Sequence, residues 1–179
     1  MNRLLPILII SMLLPLPLAA DSQPLYCSTA LTVDAELLSY DGIPAFMGTG
    51  SLYGRFGYEF TENWGLYGLL SMGLGVNVIT FHDFLEFPAI PRFSAGIGAH
   101  WRHGRFTLGL EADALLTITG GSKMLGGEIR ILPKYNIIIP EGLFIAYALS
   151  FPITAEFSAD GMAVSVGIAV SMEVGKHLE

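Results

Sequence analysis

Residues 162–174 read MAVSVGIAVSMEV, and two kinds of side chain alternate along the whole stretch. Every second residue from Met162 to Val174 is a large apolar one, whereas the positions between them hold alanine, glycine, serine and Glu173. Successive side chains of a β-strand point to opposite faces of its sheet. The stretch therefore predicts a strand with one oily face and one small or polar face.

The same alternation recurs along most of the chain, in segments separated by turn residues such as Asp41-Gly42 and Asp160-Gly161. Each segment is long enough to cross a bilayer at a tilt, which takes about 9–11 residues. The candidate strands are 26–38, 47–60, 65–80, 92–102, 105–118, 125–138, 143–156 and 162–175. They predict an all-β chain with one domain.

The charges of these segments keep to one face. In six comparisons within strands, two charged residues are an even number of positions apart and therefore lie on the same face. The pairs are Asp34 with Glu36, Arg55 with Glu59, Arg92 with Arg102, Glu111 with Asp113, and Glu128 with both Arg130 and Lys134. If charges were placed on either face at random, all six comparisons would agree about once in 64 cases. An arginine or lysine that faces mid-bilayer lipid destabilises a membrane-spanning sheet by about 2–4 kcal/mol. An oily face without charges therefore indicates that lipid surrounds the sheet.

The first twenty residues have a different character. Arg3 precedes an apolar run from Leu4 to Leu14, and small residues follow up to Ala20. This order is typical of a secretory signal peptide, so we expect 1–20 to be cleaved and 21–179 to form the barrel domain. A formal net charge of −7 argues against a nucleic-acid partner.

The expected fold is therefore an eight-stranded antiparallel transmembrane up-and-down β-barrel, preceded by a cleavable signal peptide. Closure is required because lipid offers no partner to an unpaired strand edge. Two prolines, Pro133 and Pro152, fall inside candidate strands. Each predicts a bulge, or else strand six ends near Leu132 and the strand count changes.

Aromatic residues of the oily face cluster near strand ends, where amphipathic rings favour the two membrane–water interfaces. The predicted girdle residues are Tyr58, Phe60, Trp64, Phe93, Trp101 and Phe106.

The opposite face predicts a charged lumen. Its members are Asp34, Glu36, Arg55, Glu59, Arg92, His100, Arg102, Glu111, Asp113, Glu128, Arg130, Lys134, Glu156 and Glu173. An eight-stranded barrel is just wide enough to be filled by side chains or to hold one small ligand. These charges therefore form either an ion-paired plug or, beside inward glycines such as Gly57 and Gly98, the wall of a narrow polar passage.

Two other arrangements stay open at this point. His100 could act as a base oriented by Glu111 or Asp113, with Ser94 or Ser71 as nucleophile, as in a lipid-modifying enzyme. A soluble lipocalin-like binder would require the oily face inside and the charges outside. The spacing of these residues on separate strands does not establish contact, and a histidine in a polar lumen network is the simpler interpretation of His100. We therefore expect a protein that is not an enzyme and that holds no metal and no cofactor.

With its signal segment, strand number and alternation, the chain resembles the small eight-stranded outer-membrane barrels of the OmpA, OmpX and OmpW type. The resemblance implies an outer-membrane location, periplasmic termini, insertion by the barrel-assembly machinery and a lipid bilayer as the main partner. The function that we expect is passive: a narrow porin-like channel for small solutes, or a plugged membrane-integrity barrel. A surface-exposed adhesin or interaction barrel is the alternative.

Overall fold

The computed structural model describes residues 25–40, 43–78, 89–119, 122–138, 143–159 and 161–178. The expected signal segment, 1–20, lies outside these ranges. No helix within them is long and apolar enough to cross a membrane.

The described residues form a single closed antiparallel sheet. Its strands are β1 (Leu25–Tyr40), β2 (Ile43–Glu59), β3 (Trp64–Val78), β4 (Ala89–His103), β5 (Phe106–Thr119), β6 (Ser122–Ile138), β7 (Leu143–Phe157) and β8 (Met162–Leu178). Each strand pairs with its neighbours in sequence, and β8 closes the barrel on β1. The predicted eight-stranded up-and-down topology is confirmed. The largest boundary difference is at β2, which begins at Ile43 rather than at residue 47.

Neither outcome predicted for the two prolines is found. β6 continues to Ile138, and it pairs with β7 in one register on both sides of Pro133, so no bulge is inserted. The pairing with β7 skips Leu132 and Pro133, whereas Pro133 stays opposite Leu108 of β5. Pro152 likewise stays opposite β6 and is skipped by β8. Each proline therefore turns its missing donor toward a single neighbouring strand, and the barrel tolerates a local gap in the ladder.

The two faces of the sheet differ sharply in polarity. Large apolar side chains cover the outside, and Ile97 and Leu70 are 72% and 68% exposed. Charged side chains fill the inside, where Glu36 is fully buried and Glu111 is 1% exposed. This arrangement excludes the soluble lipocalin-like alternative, which needs the opposite facing. It is the arrangement that a hydrocarbon surrounding stabilises.

Ile97 faces outward near the middle of β4, and its substitution tests whether the apolar face of the sheet is the outer one. We expect Ile97→Arg to destabilise the barrel by about 2–4 kcal/mol, because an arginine there points into lipid. Urea-induced unfolding in phospholipid vesicles, followed by heat-modifiable gel migration, measures the loss. Ile97→Leu is the matched control and should unfold close to the unsubstituted chain. Equal stability of both variants would contradict the assigned facing.

Candidate functional site: the lumen

One arginine crosses the axis of the barrel. Arg130 lies on β6 and is 2% exposed, and its Nη2 donates a hydrogen bond to the hydroxyl of Tyr53 on β2. Its guanidinium carbon is 4.6 Å from the centroid of the Tyr53 ring. β2 and β6 are four strands apart in a closed ring of eight, so they face each other across the lumen. The side chain of Arg130 therefore spans the space through which a solute would pass.

Glu111 on β5 is the centre of the ion-pair network. Its Oε1 accepts from Arg55 Nε at 2.8 Å and from the Tyr67 hydroxyl at 3.0 Å, and its Oε2 accepts from Arg130 Nη1 at 3.2 Å. Arg130 also pairs with Glu128 on its own strand. The Glu111 side chain has no exposed surface. Two cations thus compensate the charge of a carboxylate that no solvent reaches, and one hydroxyl gives it a further hydrogen bond.

We define the terminal end of the barrel as the end at which β1 begins and β8 ends, together with the β2–β3, β4–β5 and β6–β7 connections. A second ion pair lies toward this end. Lys134 Nζ is 2.7 Å from Glu173 Oε2, and Arg55 Nη1 is 3.6 Å from the same oxygen. The other carboxylate oxygen of Glu173 accepts from the Ser28 hydroxyl at 2.5 Å. Through these contacts Glu173 connects β8 to β6, β2 and β1.

The opposite half of the lumen is richer in acids. Arg92 Nη1 is 2.6 Å from Glu36 Oε1, and the Ser165 hydroxyl donates to Glu36 Oε2 at 2.5 Å. Hydroxyls also donate to three further carboxylates of this half. The donor and acceptor pairs are Thr117 with Glu156, Thr154 with Glu128, and Ser94 with Asp113. Hydroxyl donors therefore supplement the cations at Glu36 and Glu128, and they stabilise Glu156 and Asp113, which form no ion pair among the described residues.

At the terminal end, Glu59 gathers three basic side chains. Arg102 Nη2 is 3.0 Å from its Oε2, His100 Nε2 is 3.5 Å from its Oε1, and His177 Nδ1 is 4.0 Å from its Oε2. His177 was absent from the predicted lumen set. His177 follows Glu173 by four residues on β8, so the alternation places both side chains on the same face, and this was the available signal. Three inward tyrosines were missed in the same way: Tyr26, Tyr53 and Tyr67.

Three inward glycines, Gly57, Gly65 and Gly98, make room for a ring of the adjacent strand. Gly57 is paired with Tyr26, and Gly98 is paired with Tyr67. A Cβ at either glycine would collide with the ring of its partner. At Gly65 a Cβ would lie 2.5 Å from Cε1 of His100. These glycines therefore permit close ring packing rather than lining an open passage.

Little space is left in the middle of the lumen. A cavity of about 10 Å³ lies beside Asp34, Arg92 and Ser94, which is close to the smallest volume that holds one water molecule. Asp34 Oδ1 and two Arg92 nitrogens, Nε and Nη2, have no hydrogen-bond partner among the described residues. At the terminal end, a larger cavity of about 90 Å³ opens between His100, His177 and their neighbours.

The residues of the catalytic alternative fall into two separate groups. Ser71 Oγ and Ser94 Oγ are 2.7 Å apart, and Ser94 donates to Asp113 at 3.2 Å. His100 instead faces Glu59 and lies 3.5 Å from the Tyr26 hydroxyl. No cluster of three or more candidate metal-ligating side chains occurs in the part of the chain that the structure describes.

Most of the predicted girdle lies at the terminal end. Trp64 and Trp101 are paired across β3 and β4 and are 49% and 40% exposed. Tyr58 lies near the end of β2, Phe60 directly follows that strand, and Phe106 begins β5. Phe93 faces outward on β4, four residues after the strand begins at the other end of the barrel.

Comparison with known proteins identifies the architecture. No family model matches the chain, and no curated protein matches it. Among solved structures, Neisserial surface protein A superimposes with a TM-score of 0.54 at 12% identity, over 88% of this chain and 98% of that one. The outer membrane protein AlkL, solved in lipid bilayers, gives a TM-score of 0.55 at 8% identity, over 92% of this chain and 95% of that one. The shared feature is the fold, a small transmembrane β-barrel.

The position of Glu111 generates a second test. Glu111→Gln removes the charge that compensates Arg55 and Arg130, and breaking a buried pair on one side costs about 3–5 kcal/mol. We expect a loss of that size in urea unfolding of the refolded barrel in vesicles. Glu62→Gln, at an exposed acid of the β2–β3 turn, is the control and should change stability by less than about 0.5 kcal/mol. A loss at position 111 no larger than this control would show that the network is not stabilising.

Proposed function

The chain has the fold of small transmembrane β-barrels, and we propose that it is an outer-membrane barrel whose lumen is plugged and whose role is passive maintenance of membrane integrity. The observation that carries this proposal is the contact of Arg130 with Tyr53, since it joins opposite walls across the axis. Glu111, which also binds Arg55 of β2, makes a second crossing at the same level. A solute would have to break several buried charge-assisted hydrogen bonds to pass.

A narrow channel for small polar solutes is the competing function. It needs a continuous polar passage, and the inward glycines were its main support in the sequence. The space over Gly57 and Gly98 is taken by the rings of Tyr26 and Tyr67. The cavity of about 10 Å³ at mid-lumen does not amount to a conduit. These observations favour the plug over the channel.

Two further roles are less well supported. An adhesin presents long outer connections, but three of the four connections at the end opposite the termini hold only two to four residues, 41–42, 120–121 and 158–161. A lipid-modifying enzyme of the arrangement considered above needs His100 close to Ser94, and these side chains have different partners. The proposal therefore includes no catalytic step.

The proposal also assigns a route and an orientation. Residues 1–20 would direct export, and the barrel-assembly machinery would insert the sheet with both termini in the periplasm. The short connection at Gly104, whose φ is 60°, is suited to a tight turn at the periplasmic side.

Conductance in a planar lipid bilayer tests the plug. We expect the refolded chain to produce no discrete current steps, because Arg130 and its partners close the axis. Removing that obstruction with Arg130→Ala and Glu128→Ala together should give small, salt-dependent steps. Heat-modifiable gel migration verifies that each protein has folded.

The matched control lies on the same strand and faces lipid. Ile129→Ala with Ile131→Ala removes comparable volume from the outer face of β6 and should leave the barrel silent. Steps from the unsubstituted chain would overturn the plug and establish the channel. Silence of the folded Arg130→Ala, Glu128→Ala variant would mean that the block lies elsewhere in the lumen.

A further inference from the structure

We propose that the middle of the lumen holds one bound water molecule, which bridges Arg92 on β4 to Asp34 on β1. Both side chains line the cavity of about 10 Å³, and each residue is 5% exposed. Roughly 10–15 Å³ is the smallest cavity that holds a single water molecule. The space therefore admits one small occupant, and the groups in its walls determine which one.

The guanidinium of Arg92 brings free donors to this cavity. Its Nη1 donates to Glu36 Oε1 at 2.6 Å and to Thr49 Oγ1 at 3.4 Å. Its Nε and Nη2 are buried and have no hydrogen-bond partner among the described residues. These two nitrogens form one edge of the planar group, and a hydrogen of each points away from that edge. The edge of Arg92 therefore calls for an acceptor.

Asp34 brings a free acceptor to the same place. Its Oδ1 is buried and lacks a hydrogen-bond partner in the described part of the chain. Asp34 lies opposite Thr49 in the β1–β2 ladder, and Arg92 Nη1 contacts that threonine, so the guanidinium reaches the level of Asp34. Within the described residues, however, Arg92 forms its ion pair with Glu36. Where two polar groups border one space without touching, a water molecule between them can satisfy both.

The charges of the walls select water over an ion. A chloride ion could accept from Arg92, but it would lie beside Asp34 and the carboxylate of Glu128, which also lines the cavity. A sodium or potassium ion could bind the carboxylates, but it would leave the free edge of Arg92 without an acceptor. Either ion would lie next to a buried charge of its own sign, which is destabilising. A water molecule accepts from Arg92 and donates to Asp34 at the same time.

The bridge lets one arginine stabilise two acids of β1. Glu36 receives the direct ion pair, and Asp34, which forms no ion pair among the described residues, is reached through the water. Tyr53 also lines the cavity, and its hydroxyl accepts from Arg130. The water therefore lies next to the Arg130 crossing and adds a contact between β4 and β1. The inference depends on the cavity and its free groups, whether or not the barrel conducts.

A crystal structure of the full chain, refolded and crystallised in rubidium bromide, tests the identity of the occupant. Rubidium and bromide scatter anomalously and oxygen gives almost no such signal, so the same crystal distinguishes a cation or an anion from water. We expect one peak without anomalous signal in the cavity. It should lie about 2.5–3.2 Å from Asp34 Oδ1 and from at least one of the two free Arg92 nitrogens.

Two variants of the same half of the lumen test the acceptor. Asp34→Leu keeps a branched side chain of similar size but has no oxygen, so the peak should disappear. Glu156→Gln is the control, because Glu156 accepts from Thr117 and does not line the cavity, so the peak should remain. A peak that persists in Asp34→Leu, or one that is lost in Glu156→Gln, would contradict the bridge.

Three results with the unsubstituted chain would overturn the proposal. They are an anomalous peak in the cavity, a direct contact between Asp34 and Arg92, or no density between these side chains. None of them needs a variant, so a folding defect in Asp34→Leu leaves the proposal testable. Current steps in the conductance experiment beside an ordered water would overturn the plug alone. A silent barrel with an ion or no density in the cavity would overturn the water site alone.

Discussion

Hydrocarbon cannot hydrogen-bond to a peptide group, and the whole structure depends on that constraint. It requires the sheet to close, and β8 pairs with β1 along its whole length. It also requires the polar half of every strand to face inward. Eight strands leave a lumen about as wide as the side chains themselves, so the inward charges must neutralise one another rather than be hydrated. The ion-pair network is therefore a consequence of closure and of barrel size together.

The interior meets this requirement with contacts between distant strands. Arg130 joins β6 to β2, Glu111 joins β5 to β2, and Arg92 joins β4 to β1. Hydroxyl groups satisfy acids for which no cation is left, as at Glu156. Toward the terminal end, aromatic rings packed over glycines lie beside the ion pairs of Glu59 and Glu173. The described middle of the lumen is therefore crossed by side chains, and a cavity of about 90 Å³ lies toward the terminal end.

The fold could be predicted from the sequence because a charged side chain on the lipid-facing side destabilises the barrel. The alternation of apolar and polar residues is therefore kept along every strand and is a strong signal. Strand number, order and facing all followed from it. Pro133 and Pro152 were misjudged because alternation does not show which neighbouring strand a missing donor faces. The face on which a side chain lies also does not show which residues it contacts. Alternation placed Arg130 in the lumen, but its contact with Tyr53 depends on the closure of the barrel and on the rotamer of the arginine. The inward glycines were ambiguous for the same reason, since the partner ring lies on another strand.

The account's central claim is that the lumen charges stabilise the barrel as mutually dependent pairs. A double-mutant cycle on Arg55 and Glu111, with Arg55→Met and Glu111→Gln measured by urea unfolding in vesicles, tests it most directly. Each single change takes one partner away from a buried charge, whereas the double change removes both members of the pair, so the account predicts a double-variant loss smaller than the sum by about 1.5 kcal/mol or more. Additive losses, within about 0.5 kcal/mol, would contradict it.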